Sequence, residues 1–292
     1  MSIFVSTTYF GDGSKIQDAI DELQRMDINH VELGSNHAPC DIQTLRLYPN
    51  AQYIIHNYFP AQDPNFVLNL ASENKEVREK SIAFIKNTIK ICHKFNIKYY
   101  TIHPGFFAEA ISPSKIKKDG RNFDFVFKSH SQDRGLILKM TVEIIKSLYQ
   151  FAQDNNVQLL VENQGSKTSR QFVLFVSPEE LDMLKKRVGD ILKFNFNLAH
   201  AALAGINLGD SKIFYQFFKS SEFFEVSEIT GHLDSHLPIQ NRGEVASLIR
   251  KYASYFAKKN IILEYRNINI KEVKKSYNLV TKLLNPSSPK GK

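Results

Sequence analysis

The chain has 292 residues, 42% of them hydrophobic, and a formal net charge of +8. That length suits one large domain with a sizeable core, and two cysteines, Cys40 and Cys92, exclude a disulfide framework and point to a reducing, cytoplasmic setting. No stretch approaches the roughly 20 apolar residues of a membrane span, and the N-terminus lacks the basic and apolar regions of a signal peptide, so no membrane partner is expected.

Strand-like and helix-like segments alternate along the chain. Strands are expected at 3–7 (IFVST), 30–34 (HVELG), 53–57 (YIIHN), 99–103 (YYTIH), 159–163 (LLVEN), 191–197 (ILKFNFN), 226–232 (VSEITGH) and 261–265 (IILEY). Between them, apolar residues recur every three or four positions at 15–26, 76–95, 136–155, 177–188, 243–259 and 270–284, as in helices packed on a sheet. The SPEE at 177–180 is a helix start: serine as cap, proline in the first turn, then acids against the helix dipole. Strict alternation argues for a parallel sheet, and eight units argue for closure into a single (β/α)8 TIM barrel spanning 1–285. One connection is too long for a simple loop. Residues 104–135, after the fourth strand, carry phenylalanines and basic residues and are expected to form a lid or substrate-binding insertion on the catalytic face. The last residues, 286–292, read as a disordered tail.

Histidines and carboxylates collect where strands hand over to loops. His56 lies in IIHNYFP, His103 in YTIHPGF, His200 in NLAHAALAG, His232 and His236 in TGHLDSHLPI, Glu162 in LLVENQG and Glu264 in IILEYRN. Groups from separate strand ends converge where those ends lie together, as at the mouth of a parallel barrel. Imidazole and carboxylate are ligands of zinc, manganese or iron. Carboxylates crowded into an apolar mouth repel one another unless a cation neutralises them. A divalent metal, zinc or manganese foremost, is therefore expected. Arg266 shares the strand-face parity of Glu264 and is a candidate for binding a substrate phosphate or carboxylate. Arg242 precedes a helix N-terminus, where barrels often seat phosphate. His37, in the loop after the second strand, is a candidate pocket residue.

These motifs resemble the xylose-isomerase-like TIM-barrel superfamily, which includes sugar isomerases and epimerases and the endonuclease-IV-type AP endonucleases. Residues 66–106 resemble the endonuclease branch, whereas ELGSNH with Glu32 is more similar to the sugar-isomerase branch. The resemblance implies that His56 and His103 bind one metal and that Glu162 bridges. It implies that His232 and Glu264 hold a second metal, and that His200, Asp234 and His236 belong to a third set. It also implies Glu162 and Glu264 as the catalytic pair. The chain departs from the pattern at Asn197, where the family has aspartate followed, after two residues, by its histidine; asparagine offers a carbonyl oxygen but no charge. The loops after the first and second strands, TTYFGDGS and GSNHAPCD, hold no arginine and almost no lysine, unlike DNA-gripping loops. The favoured expectation is thus a metal-dependent isomerase or epimerase. Its partner would be a small sugar or sugar phosphate, and the chain would be able to form a homo-oligomer. The alternatives are an AP endonuclease, with nucleic acid as partner, and a degenerate sugar-binding barrel.

Overall fold

The structure is a computed structural model and describes residues 1–34, 36–61, 67–116, 123–165, 172–230 and 233–285. The expected tail 286–292 lies outside the described residues.

Eight parallel strands close into a barrel: β1 (Ile3–Ser6), β2 (His30–Leu33), β3 (Gln52–His56), β4 (Tyr99–Ile102), β7 (Gln158–Glu162), β8 (Lys193–Asn197), β9 (Ser221–Val226) and β12 (Asn260–Leu263). Around the ring the order is β1, β12, β9, β8, β7, β4, β3, β2. The outer layer includes α1 (Ile16–Arg25), α2 (Lys75–Lys94), α3 (Arg134–Asp154), α4 (Pro178–Val188), α6 (Ser211–Ser220), α7 (Glu244–Lys251), α8 (Ala253–Phe256) and α9 (Ile270–Leu284), with a short α5 (Leu198–Leu203) on the end of β8. Among the described residues no helix is long and apolar enough to cross a membrane.

Side chains alternate across each strand, and this alternation builds the barrel in layers. Val5, Leu33, Ile55, Val161, Phe224 and Leu263 face outward and join the core beneath the helices. Phe4, Ile54, Leu160, Phe223 and Ile262 face inward and form a separate apolar floor. Each inward side chain buried from water contributes roughly 1.5–3 kcal/mol. Two residues beyond each floor residue comes the next inward position, and there the chemistry changes: Ser6, His56, Glu162, Glu225 and Glu264. The polar site is one layer of the barrel, stacked on that floor.

One expected strand needs correction. Of the segment expected at 226–232, only Val226 is barrel strand among the described residues. The barrel uses Ser221–Val226, and β10 (Glu228–Thr230) pairs antiparallel with β11 (Leu233–Leu237). The aromatic run IFYQFFKSSEFFEV hides a boundary that periodicity alone does not reveal. Asp210 starts α6 by accepting a hydrogen bond from Lys212 N (2.8 Å), and the strand begins only at Ser221. The second unit has a 3-10 turn, Ile42–Leu47, where a helix would complete the pattern. The insertion 104–135 contains two antiparallel strands, β5 (Ala108–Ile116) and β6 (Phe123–Ser129), paired as a hairpin. Its base is clamped by Asn69, whose Oδ1 accepts from Phe106 N (2.8 Å) and whose Nδ2 donates to Ala108 O (2.9 Å).

Candidate metal and catalytic site

His56 ends β3, His103 follows β4 and Glu162 ends β7, three neighbouring strands of the ring. Their donor atoms converge. His56 Nε2 and His103 Nε2 are 3.2 Å apart, and each is 3.0 Å from Glu162 Oε2. Three ligand atoms about 2.1 Å from one ion lie about 3.0–3.4 Å from one another in octahedral or tetrahedral geometry. The donor set therefore fits a divalent cation without rearrangement. Glu162 is 1% exposed and His56 5% exposed, so an ion there would be largely shielded from water.

The other oxygen of Glu162 is held from β8 and its helix. His200 Nδ1 lies 3.0 Å from Glu162 Oε1 and 3.0 Å from Asn163 O. Asn197 Nδ2 donates to the same Glu162 oxygen at 3.1 Å and to Glu225 Oε1 at 2.7 Å. Asn197 Oδ1 is used elsewhere: it caps α5 by accepting from His200 N at 3.1 Å. Asn197 thus turns its amide hydrogens, not its carbonyl oxygen, toward the carboxylates. The ends of β7 and β8 are tied reciprocally, Asn197 N donating to Asn163 Oδ1 (2.7 Å) and Asn163 Nδ2 to Asn197 O (3.0 Å). Gly165 permits this approach, because a Cβ there would stand 2.0 Å from His200 O.

Across the mouth, Glu264 lies one residue past β12, with His236 Nδ1 at 3.1 Å. Beneath His56, Glu32 is fully buried on β2 with its Oε1 3.8 Å from His56 Nδ1. At that distance the carboxylate acts on the imidazole through its charge rather than through a hydrogen bond. Glu225, which sequence reasoning misses, stands 1% exposed at the end of β9. A signal for it exists: FFE repeats the apolar-to-acid step of LLVE and IILE. Placing the seventh strand too late conceals it.

Electrostatics divide the four buried glutamates into two pairs. Burial alone would raise Glu162, but His103, His200 and His56 outweigh it and hold the carboxyl well below the usual range. Glu264 is likewise held down, against burial, by His236, His56 and Arg266. Glu225 is pushed well above its ordinary value by burial and by Glu162, Glu264 and Glu32. Glu32 is raised to about 7, mainly by burial, in spite of His56. Burial also opposes the charge on His56, yet Glu32 and Glu162 prevail and raise it to about 9.

Of the remaining expected residues, Arg266 stands close enough to act on Glu264, and the others fall outside this cluster or outside the described residues. His232 and the Asp234 side chain lie outside the described residues. His37 packs between the loops after β1 and β2, its Nδ1 3.0 Å from Ser14 Oγ. Arg266 is half-buried, and its backbone N–H donates to His236 O at 3.2 Å. Arg242 is exposed, and the anion seat expected beside it is taken: Glu228 accepts from Gln240 N at 2.8 Å, and a Cβ on Gly243 would come within 2.1 Å of Glu228 Oε2. The chain's own carboxylate thus fills the place at the start of α7 where a phosphate was expected.

A closed parallel barrel with histidines and glutamates layered at its mouth is the architecture of a large enzyme class. Residues 42–279 match the xylose isomerase-like TIM barrel family, and the chain belongs to that family. An uncharacterized protein of Methanocaldococcus jannaschii is 24% identical over 248 residues, 82% of each chain. Among solved structures, a D-tagatose 3-epimerase-like protein superposes with a TM-score of 0.72 at 17% identity, covering 98% of both chains. Endonuclease IV from Thermus thermophilus gives 0.65 at 14% identity, covering 98% of this chain and 100% of its own. These two likenesses concern the fold, and both branches of the family share it.

Proposed function

We propose that this protein is a metal-dependent isomerase or epimerase acting on a small sugar or sugar phosphate by proton abstraction next to a carbonyl. The observation that carries the reading is the pairing of Glu162 and Glu264. They stand at the ends of β7 and β12, three strand steps apart around the ring, and both are buried yet favoured as carboxylates. Two ionised carboxylates facing a shared space can take a carbon-bound proton on one side and return one on the other. His56, His103 and Glu162 would hold the metal, with Glu264 and His236 toward the second side. A bound divalent ion polarises the carbonyl and neighbouring hydroxyl oxygens of a substrate. Asn197 and His200 fix the rotamer of Glu162. The filled seat at α7 favours a substrate without a phosphate at that position.

The rim also supports a small substrate. The loops after β1 and β2 are hydrogen-bonded to each other, Gly13 N to Asn36 O at 2.7 Å and Ala38 N to Ser14 O at 2.9 Å, and they bury Thr7, Thr8, Tyr9 and His37. Among the described residues of 7–14 and 34–41 there is no lysine or arginine, whereas gripping a duplex takes basic contacts to its phosphates. The hairpin β5–β6 is proposed to cover the substrate from the other side.

A second reading, an AP endonuclease, is favoured by the His56–His103 pair, which the resemblance assigns to the nuclease branch. It is also favoured by a 40-residue stretch 45% identical to a protein of Aquifex aeolicus named "Probable endonuclease 4", which covers 14% of each chain. One experiment separates the readings. The metal-loaded protein is incubated with a panel of ketoses and ketose phosphates in deuterated water, and separately with an abasic-site duplex. Deuterium entering the carbon next to the carbonyl, lost in Glu162→Gln and Glu264→Gln, is the expected result. Salt-sensitive strand cleavage with no exchange would overturn the proposal in favour of the nuclease.

A further inference from the structure

The helices that precede β9 and β12 carry a positive charge that the site at the mouth does not use. α6, α7 and α8, with the turn after α8, hold Lys212, Lys219, Arg250, Lys251, Lys258 and Lys259 against a single acid, Glu244. On other helices exposed lysines pair along their own helix: Lys75 with Glu79, Lys186 with Asp182 and Lys275 with Glu272. Lys212, Lys219, Lys251 and Lys258 are exposed and, among the described residues, form no ion pair. Between the lysines runs a line of rings. Phe218 stands 5.1 Å from Tyr255, Tyr255 4.8 Å from Tyr215, and Tyr215 6.1 Å from Tyr252. Lys259 Nζ closes one end of the line, 4.8 Å from the centre of the Phe218 ring, and Lys251 Nζ the other, 5.2 Å from that of Tyr252. Tyr252 is buried, but Tyr215, Phe218 and Tyr255 are only half-buried. On α6 the spacing of Lys212, Tyr215 and Lys219 puts them on one side of the helix. Because α6 leads into β9 and the turn after α8 into β12, Lys219, Lys258 and Lys259 lie at the strand starts, the end of the barrel opposite the mouth.

We propose that this outer face binds single-stranded RNA, its lysines meeting phosphates and its half-buried rings meeting bases. Charge complementarity selects a polyanion, since six basic groups face one acid. The rings select a polyanion that carries flat bases: aromatic side chains stack on bases whatever their sequence, while basic side chains follow the backbone. A duplex keeps its bases stacked on one another, so a single strand suits the rings better. The hydroxyls of Tyr215, Tyr255 and the exposed Ser254 offer partners to the ribose 2′-hydroxyl, the group that sets RNA apart from DNA. A second copy of this chain is a poor occupant, because it would bring the same positive face against itself.

The test is fluorescence anisotropy of labelled oligouridylate with the intact chain, with oligothymidylate and inorganic polyphosphate as comparison probes. Oligouridylate should bind with an affinity that falls as salt rises. Lys219→Gln and Lys258→Gln should each lower the slope of log affinity against log salt by about 0.7. Tyr255→Ala should weaken oligouridylate binding about ten-fold and leave polyphosphate binding as it was. The two lysine variants change only exposed side chains, so they decide the matter if Tyr255→Ala does not fold. No oligouridylate binding at low salt would overturn the proposal. Binding that none of the variants alters would do the same, by putting the strand elsewhere on the chain. Polyphosphate bound as tightly as oligouridylate would reduce the face to a general anion surface, and tighter binding of oligothymidylate would refute RNA as its occupant. A dimer that Tyr255→Ala dissociates, without oligonucleotide binding, would assign the face to a second copy instead.

Discussion

At the scale of single residues, burial sets the charge state, and His37 shows it outside the metal cluster. It is 5% exposed, and burial lowers its pKa to about 4 from an ordinary 6.5. Between those values the folded chain keeps the imidazole neutral while the unfolded chain takes up a proton. The unfolded state then binds more protons, so stability falls as pH falls through that window and is fully present above it. The loss is on the order of 3 kcal/mol by pH 4. Urea midpoints measured from pH 7 to pH 4 should decline more steeply in the wild type than in His37→Asn, whose side chain does not titrate. Parallel declines would show that His37 is charged in the folded protein. The same logic explains why Glu162 and Glu32, both buried, behave oppositely: three histidines surround one and a single histidine faces the other.

At the scale of elements, the site depends on how β7 and β8 end. The loop after β7 passes so close to α5 that only glycine fits at position 165, where a Cβ would lie 2.0 Å from His200 O and 2.5 Å from His200 C. These are backbone atoms, so a side chain cannot simply turn aside. Gly165→Ala should lower unfolding stability by about 3 kcal/mol, in the upper range for overpacking. It should also weaken metal uptake, because α5 carries the imidazole that holds Glu162 Oε1. Denaturant unfolding and a metal titration on the same protein check both. A variant with wild-type values for each would show that loop and helix separate freely. The hairpin β5–β6 is anchored differently, through the Asn69 amide and through Glu109, which accepts from Glu73 N at 2.7 Å near the start of α2. Its base is therefore tied to the connection that follows β3, the strand that delivers His56.

At the scale of the molecule, the barrel buries four glutamates near one mouth, and their mutual repulsion is a cost the metal-free fold carries. Glu225 meets it by favouring the protonated form, Glu32 by a pKa raised to about 7, and Glu162 and Glu264 by leaning on histidines. A cation held by His56, His103 and Glu162 would offset part of that repulsion. Zinc or manganese at 100 times its dissociation constant should add about 2.7 kcal/mol of stability. For a chain of 292 residues that is a rise of roughly 4 °C in the thermal midpoint, reversed by chelator. Scanning calorimetry with and without metal checks it. A midpoint indifferent to both ions would mean that protons and histidines alone neutralise the layer.

The alternation of strand and helix patterns, the barrel and most of the mouth are legible from local order. Leu160–Glu162 and Ile262–Glu264 each announce an inward apolar residue followed by an inward acid, and period-two geometry needs no knowledge of neighbours. Local order fails where a run satisfies two periods at once. In the aromatic stretch 213–226 either a helix or a strand could bury the phenylalanines, and only packing against Tyr252 and Phe256 assigns Phe214 to a helix and Phe224 to the barrel. The inward place of Glu225 is hidden with that boundary. Which way Asn197 turns its amide is also beyond the sequence, because the choice is made by groups distant along the chain: a helix start that needs an acceptor, and two carboxylates that need a donor. Residue types and their parity follow from the chain itself. Partners across the barrel follow only from closure, which brings strands that are far apart in sequence to within hydrogen-bonding distance.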